Sequence, residues 1–110
     1  MAGLTLSEKL DQLDARYEEM THQLSTPEVV NDSARLQKLA KQHSELEEIV
    51  HKHREYKQIE KDLAGAHQMV LENEDPEMKH LAQDEEKQLI ERKENVERDL
   101  KLLQIGRAHV

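Results

Sequence analysis

The sequence contains no cysteine, tryptophan or phenylalanine, and only three glycines and two prolines among its 110 residues. Without cysteine there is no disulfide framework, no thiolate zinc site and no thiol nucleophile. No apolar run approaches the roughly 20 residues needed to span a bilayer, and no signal-peptide pattern opens the chain. Positive charge is also in short supply: 16 Lys and Arg face 24 Asp and Glu, a formal net charge of −8. That balance argues against a broad phosphate-binding surface, which must supply Lys and Arg. Apolar residues make up 35% and charged residues 36%, against about 45–50% and about 25% in an ordinary globular domain. The length allows one domain at most. A chain so poor in apolar and aromatic residues either forms elongated helices that bury narrow stripes or stays disordered. Periodicity separates the two, because a disordered segment has no reason to space its apolar residues.

The apolar residues are spaced. Leu6, Leu10, Leu13, Tyr17, Met20 and Leu24 alternate in steps of four and three, the one-sided seam of a helix. Thr5-Leu6-Ser7-Glu8 reads as its capping box, with Thr5 accepting from the first turn and Glu8 reaching back. The first helix is therefore expected over 6–24. Pro27 fits the first turn of a short helix over 27–30, with Ser25 or Thr26 as cap and Val29 and Val30 closing the end of the core. Asn31 or Asp32 can cap the next helix. From there to about Glu72 there is no proline, and Gly65 is the single glycine. Leu36, Leu39, Leu46, Ile49, Val50, Tyr56, Ile59, Leu63, Ala66 and Val70 mark a drifting stripe, with His43, His53 and His67 in its gaps. Some 40 residues at 1.5 Å each make a helix of roughly 60 Å. Gly65 costs about 1 kcal/mol relative to Ala within it, and marks a close helix approach or a bend.

Glu72 to Glu77 interrupts the pattern. Asp75 is a strong cap and Pro76 a good first helical residue, so a third long helix is expected from Pro76 to about Gln104. Ala82, Leu89, Val96 and Leu103 recur every seven residues, and Met78, Leu81, Leu100 and Leu102 are expected to broaden that seam. Glu94 with Arg98 and Glu97 with Lys101 have the favourable polarity for i, i+4 pairs, each worth only about 0.2–0.5 kcal/mol. A short turn between the two long helices makes them an antiparallel hairpin. The fold class expected is all-α: a short first helix packed on a long antiparallel two-helix coiled-coil hairpin. The first helix covers the half near the termini and leaves the Asp75-Pro76 end projecting. Residues 1–104 form the domain. Residues 105–110 continue no seam, and Gly106 reads as a stop, so this segment is a linker start or a tail left by cloning.

No catalytic constellation stands out. There is no Gly-rich phosphate loop, no HExxH and no nucleophile elbow. The carboxylates fall mostly on faces that water reaches, where nothing tunes their pKa. His43/Glu47, His51/Glu55 and His80/Asp84 have the i, i+4 spacing of two ligands on one helix face, but no third ligand is evident, and no metal or cofactor is expected. The acidic stretch Glu72, Glu74, Asp75 and Glu77 admits two readings. It is a solvated turn whose acids suit the following helix dipole, or a docking point for a basic partner surface.

Leu24-Ser25-Thr26-Pro27-Glu28-Val29-Val30-Asn31-Asp32, then 35–48, Arg54-Glu55-Tyr56-Lys57, Asp75-Pro76-Glu77-Met78, Leu81-Ala82 and Asp84-Glu85 together resemble the N-terminal helical domain of the bacterial peptide chain release factor 1 family. The resemblance covers about residues 6–103 in the family's order and spacing. It implies a cytoplasmic, ribosome-binding protein that recognises stop codons and triggers peptidyl-tRNA hydrolysis. It also implies that the work is done by a Pro-x-Thr tripeptide and a Gly-Gly-Gln loop. Neither motif occurs in this sequence, so no decoding or catalytic residue carries over and the domain is expected to be accessory rather than enzymatic. The partners implied are the ribosome, at its stalk base, and the remaining domains of the same factor. The hairpin could also self-associate. Two other readings of the residues compete: a three-helix spacer of the spectrin kind, against which the short first helix and missing tryptophan count, and an oligomeric chaperone-like coiled coil.

Overall fold

The computed structural model describes Gly3 and residues 5–108, with side chains described as far as Leu103. The described residues form four helices and no strand: α1 (Leu6–Gln23), α2 (Pro27–Val30), α3 (Ser33–Glu72) and α4 (Pro76–Ala108). They divide into two compact units, one up to His51 and one from Lys52, with α3 contributing to both.

In the first unit, α1 begins where its capping pattern puts it. The Glu8 N–H donates to Thr5 Oγ1 at 3.1 Å, and the Lys9 N–H to the Thr5 carbonyl at 3.0 Å. The helix stops at Gln23, with Leu24 as its C-cap. Ser25 and Thr26 then turn their hydroxyls backward. Ser25 Oγ donates to the His22 carbonyl and Thr26 Oγ1 to the Gln23 carbonyl, both at 2.8 Å. Sequence favoured these residues as side-chain caps for α2. Thr26 does hold the N-cap position there, but without a side-chain cap bond; its hydroxyl is turned to the Gln23 carbonyl instead. Asp32, rather than Asn31, caps α3, its Oδ1 accepting from the Arg35 N–H at 3.2 Å.

Leu10, Tyr17, Met20, Val29, Leu46, Ile49 and Val50 are buried, which places the inner face of α1 and α2 and the first half of α3 along the expected stripe. Val29 and Val30 do not share the work: Val29 is 2% exposed and Val30 49%. Successive helical residues point about 100° apart, so a single turn turns only one of two neighbours inward. The α1–α3 contact carries a polar element. The rings of Tyr17 and His43 stack with centroids 4.2 Å apart, and His51 meets Tyr17 edge-on at 6.1 Å. Thr21 Oγ1 donates to the Tyr17 carbonyl at 2.9 Å and lies 2.7 Å from His43 Nε2. A hydroxyl has one proton. With that proton on Tyr17, His43 must donate from Nε2.

In the second unit, the rest of α3 and α4 pair as the expected antiparallel hairpin. Ile59 and Ala66 on α3 and Ala82, Leu89, Val96 and Leu100 on α4 are buried; Leu63 and Val70 are half-buried. His53, expected at the seam's edge, is 1% exposed. It lies three residues after Val50 and seven after Leu46, the spacing of the core itself. The seam is narrower than expected. Met78, Leu81 and Leu102 are exposed, because the Ala82-Leu89-Val96 row already fills the space facing α3 and neighbours of that row turn away from it.

Polar contacts flank the seam. Lys52 Nζ lies 3.2 Å from Asp99 and 3.4 Å from Glu55. These pairs are partly exposed and so worth about 0–1 kcal/mol each. Tyr56 donates its hydroxyl to Glu97 Oε1 at 3.2 Å, and Lys93 Nζ sits 5.7 Å from its ring centroid, within cation–π range. Glu97 thus serves the opposite helix, where sequence had paired it with Lys101, and Arg98 donates to Asn95 Oδ1. His67 Nδ1 and Glu86 Oε2 are 2.9 Å apart.

Two of these groups carry a pH signature. Hydrogen bonding to Asp99 and the charge of Glu55 raise the Lys52 pKa above 10.5. Burial, then the charges of Glu60 and Glu97, raise the Tyr56 phenol above 10.0. Both groups hold their protons more tightly folded than unfolded, so their contribution is complete below the unfolded values and is lost as pH rises through the folded ones. Thermal melts taken across that alkaline window should show a falling midpoint. Tyr56→Phe should fall less steeply, and equal slopes would contradict the assignment.

Gly65 is not a close approach, since a Cβ built there meets nothing within 4 Å, and α3 continues through it. Gly65→Ala is therefore expected to stabilise the protein by up to about 1 kcal/mol, read as a higher melting temperature. Nor does Gly106 end α4, which runs to Ala108, four residues beyond the expected Gln104. One glycine costs a helix only about 1 kcal/mol and does not break it. His109 and Val110 lie outside the described residues.

Candidate functional site

The turn between α3 and α4 is built from the chain's own capping groups. The Asn73 N–H donates to the Met69 carbonyl at 3.0 Å and closes α3. Asp75 Oδ1 accepts from the Glu77 N–H at 3.1 Å, and its carbonyl from the Lys79 N–H at 2.9 Å. Pro76 occupies the first position of α4, where a missing N–H costs nothing.

The four acidic residues singled out in sequence come together here but are not equivalent. Asp75 is committed to capping. Glu72 accepts from Gln68 Nε2 at 2.8 Å. Glu74 and Glu77 are exposed, with Glu77 in the first turn of α4, where the helix dipole favours a negative charge. Among the described residues no group of three His, Cys, Asp or Glu could hold a metal ion. Of the i, i+4 pairs, His80 Nε2 and Asp84 Oδ2 approach to 3.5 Å at the surface.

Sequence reading put Met78 and Leu81 in the seam, while allowing that the uncovered half of the hairpin could use part of its stripe to meet another domain or subunit; apolar surface does lie exposed beside these acids. Met69 is 44% exposed, Leu71 71%, Met78 43% and Leu81 61%. Met69 directly precedes the half-buried Val70, and Leu81 directly precedes the buried Ala82. One step turns a helix by about 100°, so in an antiparallel pair both residues fall on the same flank. Met78, one turn before Ala82, borders that flank; Leu71 follows Val70 and falls on the other. A signal was available: the Ala82-Leu89-Val96-Leu103 row excludes positions 78 and 81, and an apolar residue off its row needs another reason to be there. Elsewhere, Arg54, Lys57, Gln58, Glu60 and Lys61 line a shallow, open, mixed-charge face of α3.

The chain was compared with known proteins. The PCRF domain model matches residues 13–109. Peptide chain release factor 1 of Syntrophomonas wolfei is 48% identical over 96 residues, covering 87% of this chain and 27% of that protein. The Carboxydothermus hydrogenoformans protein of the same name is 45% identical over the same shares. That of Acidobacterium capsulatum is 42% identical, covering 87% of this chain and 26% of its own length. The chain thus spans about a quarter of the length of these relatives. No solved structure matches it. With a match running from the middle of α1 through the hairpin and the whole of α4, the chain belongs to the PCRF domain family.

Proposed function

We propose that this chain is the accessory helical domain of a translation termination factor of the release factor 1 kind, and that it neither reads the stop codon nor catalyses release. In this reading the whole factor, in the cytoplasm, recognises stop codons on the ribosome and triggers peptidyl-tRNA hydrolysis. The helical domain contacts the stalk base and packs against the factor's other domains. Its hairpin end, with Glu72, Glu74, Asp75 and Glu77, meets the partner.

The observation that carries this reading is the PCRF match over residues 13–109, supported by relatives named peptide chain release factor 1. The division of labour is supported by the sequence: its glycines, Gly3, Gly65 and Gly106, are nowhere adjacent, and neither Pro27 nor Pro76 is followed two residues later by Thr. The test is a release assay on ribosomes programmed with a stop codon and charged with labelled peptidyl-tRNA. The purified chain should free no peptide above the level of ribosomes alone, while a full-length factor 1 frees it. Release by the chain itself would overturn the division of labour.

A further inference from the structure

We infer that the outward face of α3 between Arg54 and Glu72 is a dimerisation face, on which a second copy of this chain lies antiparallel. The inference does not rest on the ribosomal reading. The face follows from the seam. Ile59 and Ala66 are buried, and Leu63 and Val70 half-buried, on the side turned to α4. At about 100° per residue, Arg54, Lys57, Lys61, Gln68 and Glu72 fall on the opposite side, and all five are exposed. The face lies wholly within the second compact unit.

Two observations carry the inference. The first is the order of charge along the face. Its beginning is basic: Arg54, Lys57 and Lys61 line a shallow open surface bordered by Gln58 and Glu60, in a chain of formal net charge −8. Its end is acidic. Glu72 accepts from the Gln68 amide at 2.8 Å, and Glu74 and Asp75 follow in the exposed turn. A nucleic acid laid along this face is drawn to one end and repelled by the other. A uniformly basic protein surface meets the reverse conflict. An antiparallel second copy satisfies both ends at once, because a two-fold axis sets the basic half of each face on the acidic half of the other.

The second observation is register. Lys57 with Glu72, Arg54 with Asp75, and Lys61 with Gln68 share one midpoint, between Ala64 and Gly65. A two-fold axis at that point brings each residue opposite its counterpart in the other copy. The same point is where the face is least bulky. Ala64 and Gly65 are both exposed, and a Cβ built on Gly65 meets nothing within 4 Å. Within one chain this glycine has no packing role; at the axis it lets two backbones come near. The face spans roughly 27 Å of helix and one helix wide, less than the roughly 1,200–2,000 Å² of a stable interface. The dimer is therefore weak, and screening by salt weakens it further.

The test is sedimentation equilibrium of the 110-residue chain from about 10 μM to about 1 mM, at low and high salt. The parent should pass from monomer to dimer as concentration rises, and less readily in high salt. Lys57→Glu and Glu72→Lys each place like charges opposite one another twice in the dimer, and each should weaken association at least about tenfold. The two single variants mixed together should pair with each other, and a chain carrying both changes should dimerise as the parent does. Helical circular dichroism verifies that each variant is folded. Should Lys57→Glu lose its helical signal, Glu72→Lys with the doubly changed chain carries the test, since a cation at the C-terminus of α3 suits the helix dipole.

A parent that stays monomeric throughout the range overturns the inference, as does a dimer that the single variants leave intact. Single variants that dissociate but neither pair when mixed nor recover when combined overturn the antiparallel register. Open-ended assembly in place of a closed dimer overturns the two-fold axis. A monomeric parent that instead binds a poly-glutamate peptide through Arg54, Lys57 and Lys61 gives the basic half of the face to another occupant and overturns the inference too.

Discussion

Ile59→Ala is expected to destabilise the protein by about 2–5 kcal/mol, as large-to-small changes at fully buried sites do. Ile59 is 1% exposed at the centre of the α3–α4 seam. Its row continues through Leu63 to Ala66 along α3, facing Ala82, Leu89 and Val96 on α4. A seam this narrow has little neighbouring bulk to collapse into a void, so the cavity term adds to the lost transfer free energy. At roughly 4 °C per kcal/mol for a chain of this length, the melting midpoint should drop by roughly 8–20 °C. Leu71→Ala is the matched control: an equally large aliphatic side chain on the same helix, 71% exposed, whose loss should cost no more than about 0.5 kcal/mol. Comparable losses from the two variants in thermal or urea unfolding would mean that the seam runs along a different face of α3.

The second large effect concerns the backbone. Lys61 is exposed in the interior of α3. Lys61→Pro removes one i to i−4 hydrogen bond and drives the proline ring against the carbonyl of Lys57. The expected cost is about 3 kcal/mol or more, with a visible loss of helical circular dichroism. Lys61→Ala at the same place should change stability by no more than about 0.5 kcal/mol. The pair separates backbone from side chain: if proline is tolerated as well as alanine, α3 is not a continuous helix between its seam positions.

Much of the fold was legible before any coordinate. The four-three steps of Leu10, Tyr17 and Met20, the seven-residue row of Ala82, Leu89 and Val96, and the Asp75-Pro76 start signal each depend on local chemistry, and each stands where periodicity and capping put it. What was misjudged depends on the width of the buried stripe. Periodicity gives the direction a stripe faces. Its width is decided by how near the partner helix comes, which no single helix encodes. The small residues Ala66 and Ala82 take buried places in the seam, and Met78 and Leu81, which a wider seam would have covered, are left outside. The same competition for one inward direction buries Val29 and exposes Val30.

His53 was misjudged for the opposite reason. A histidine in a row of aliphatics reads as an edge residue by composition, yet its distance from Val50 and Leu46 is that of a core position. Ser25 and Thr26 show a further limit: a hydroxyl between two helices can serve either end, and the choice depends on which backbone groups are left orphaned. Gly65 and Gly106 were given too much weight as punctuation. The acidic residues of the candidate site were found by composition alone, whereas the apolar flank beside them emerged only once the seam was known to exclude it.

The most direct test of the central claim, that this helical chain is a ribosome-docking module, is its binding to purified bacterial ribosomes at increasing concentration. Saturable binding near one chain per ribosome, displaced by a full-length release factor 1, is the result predicted. Binding that never saturates, or that the full-length factor leaves untouched, would contradict it.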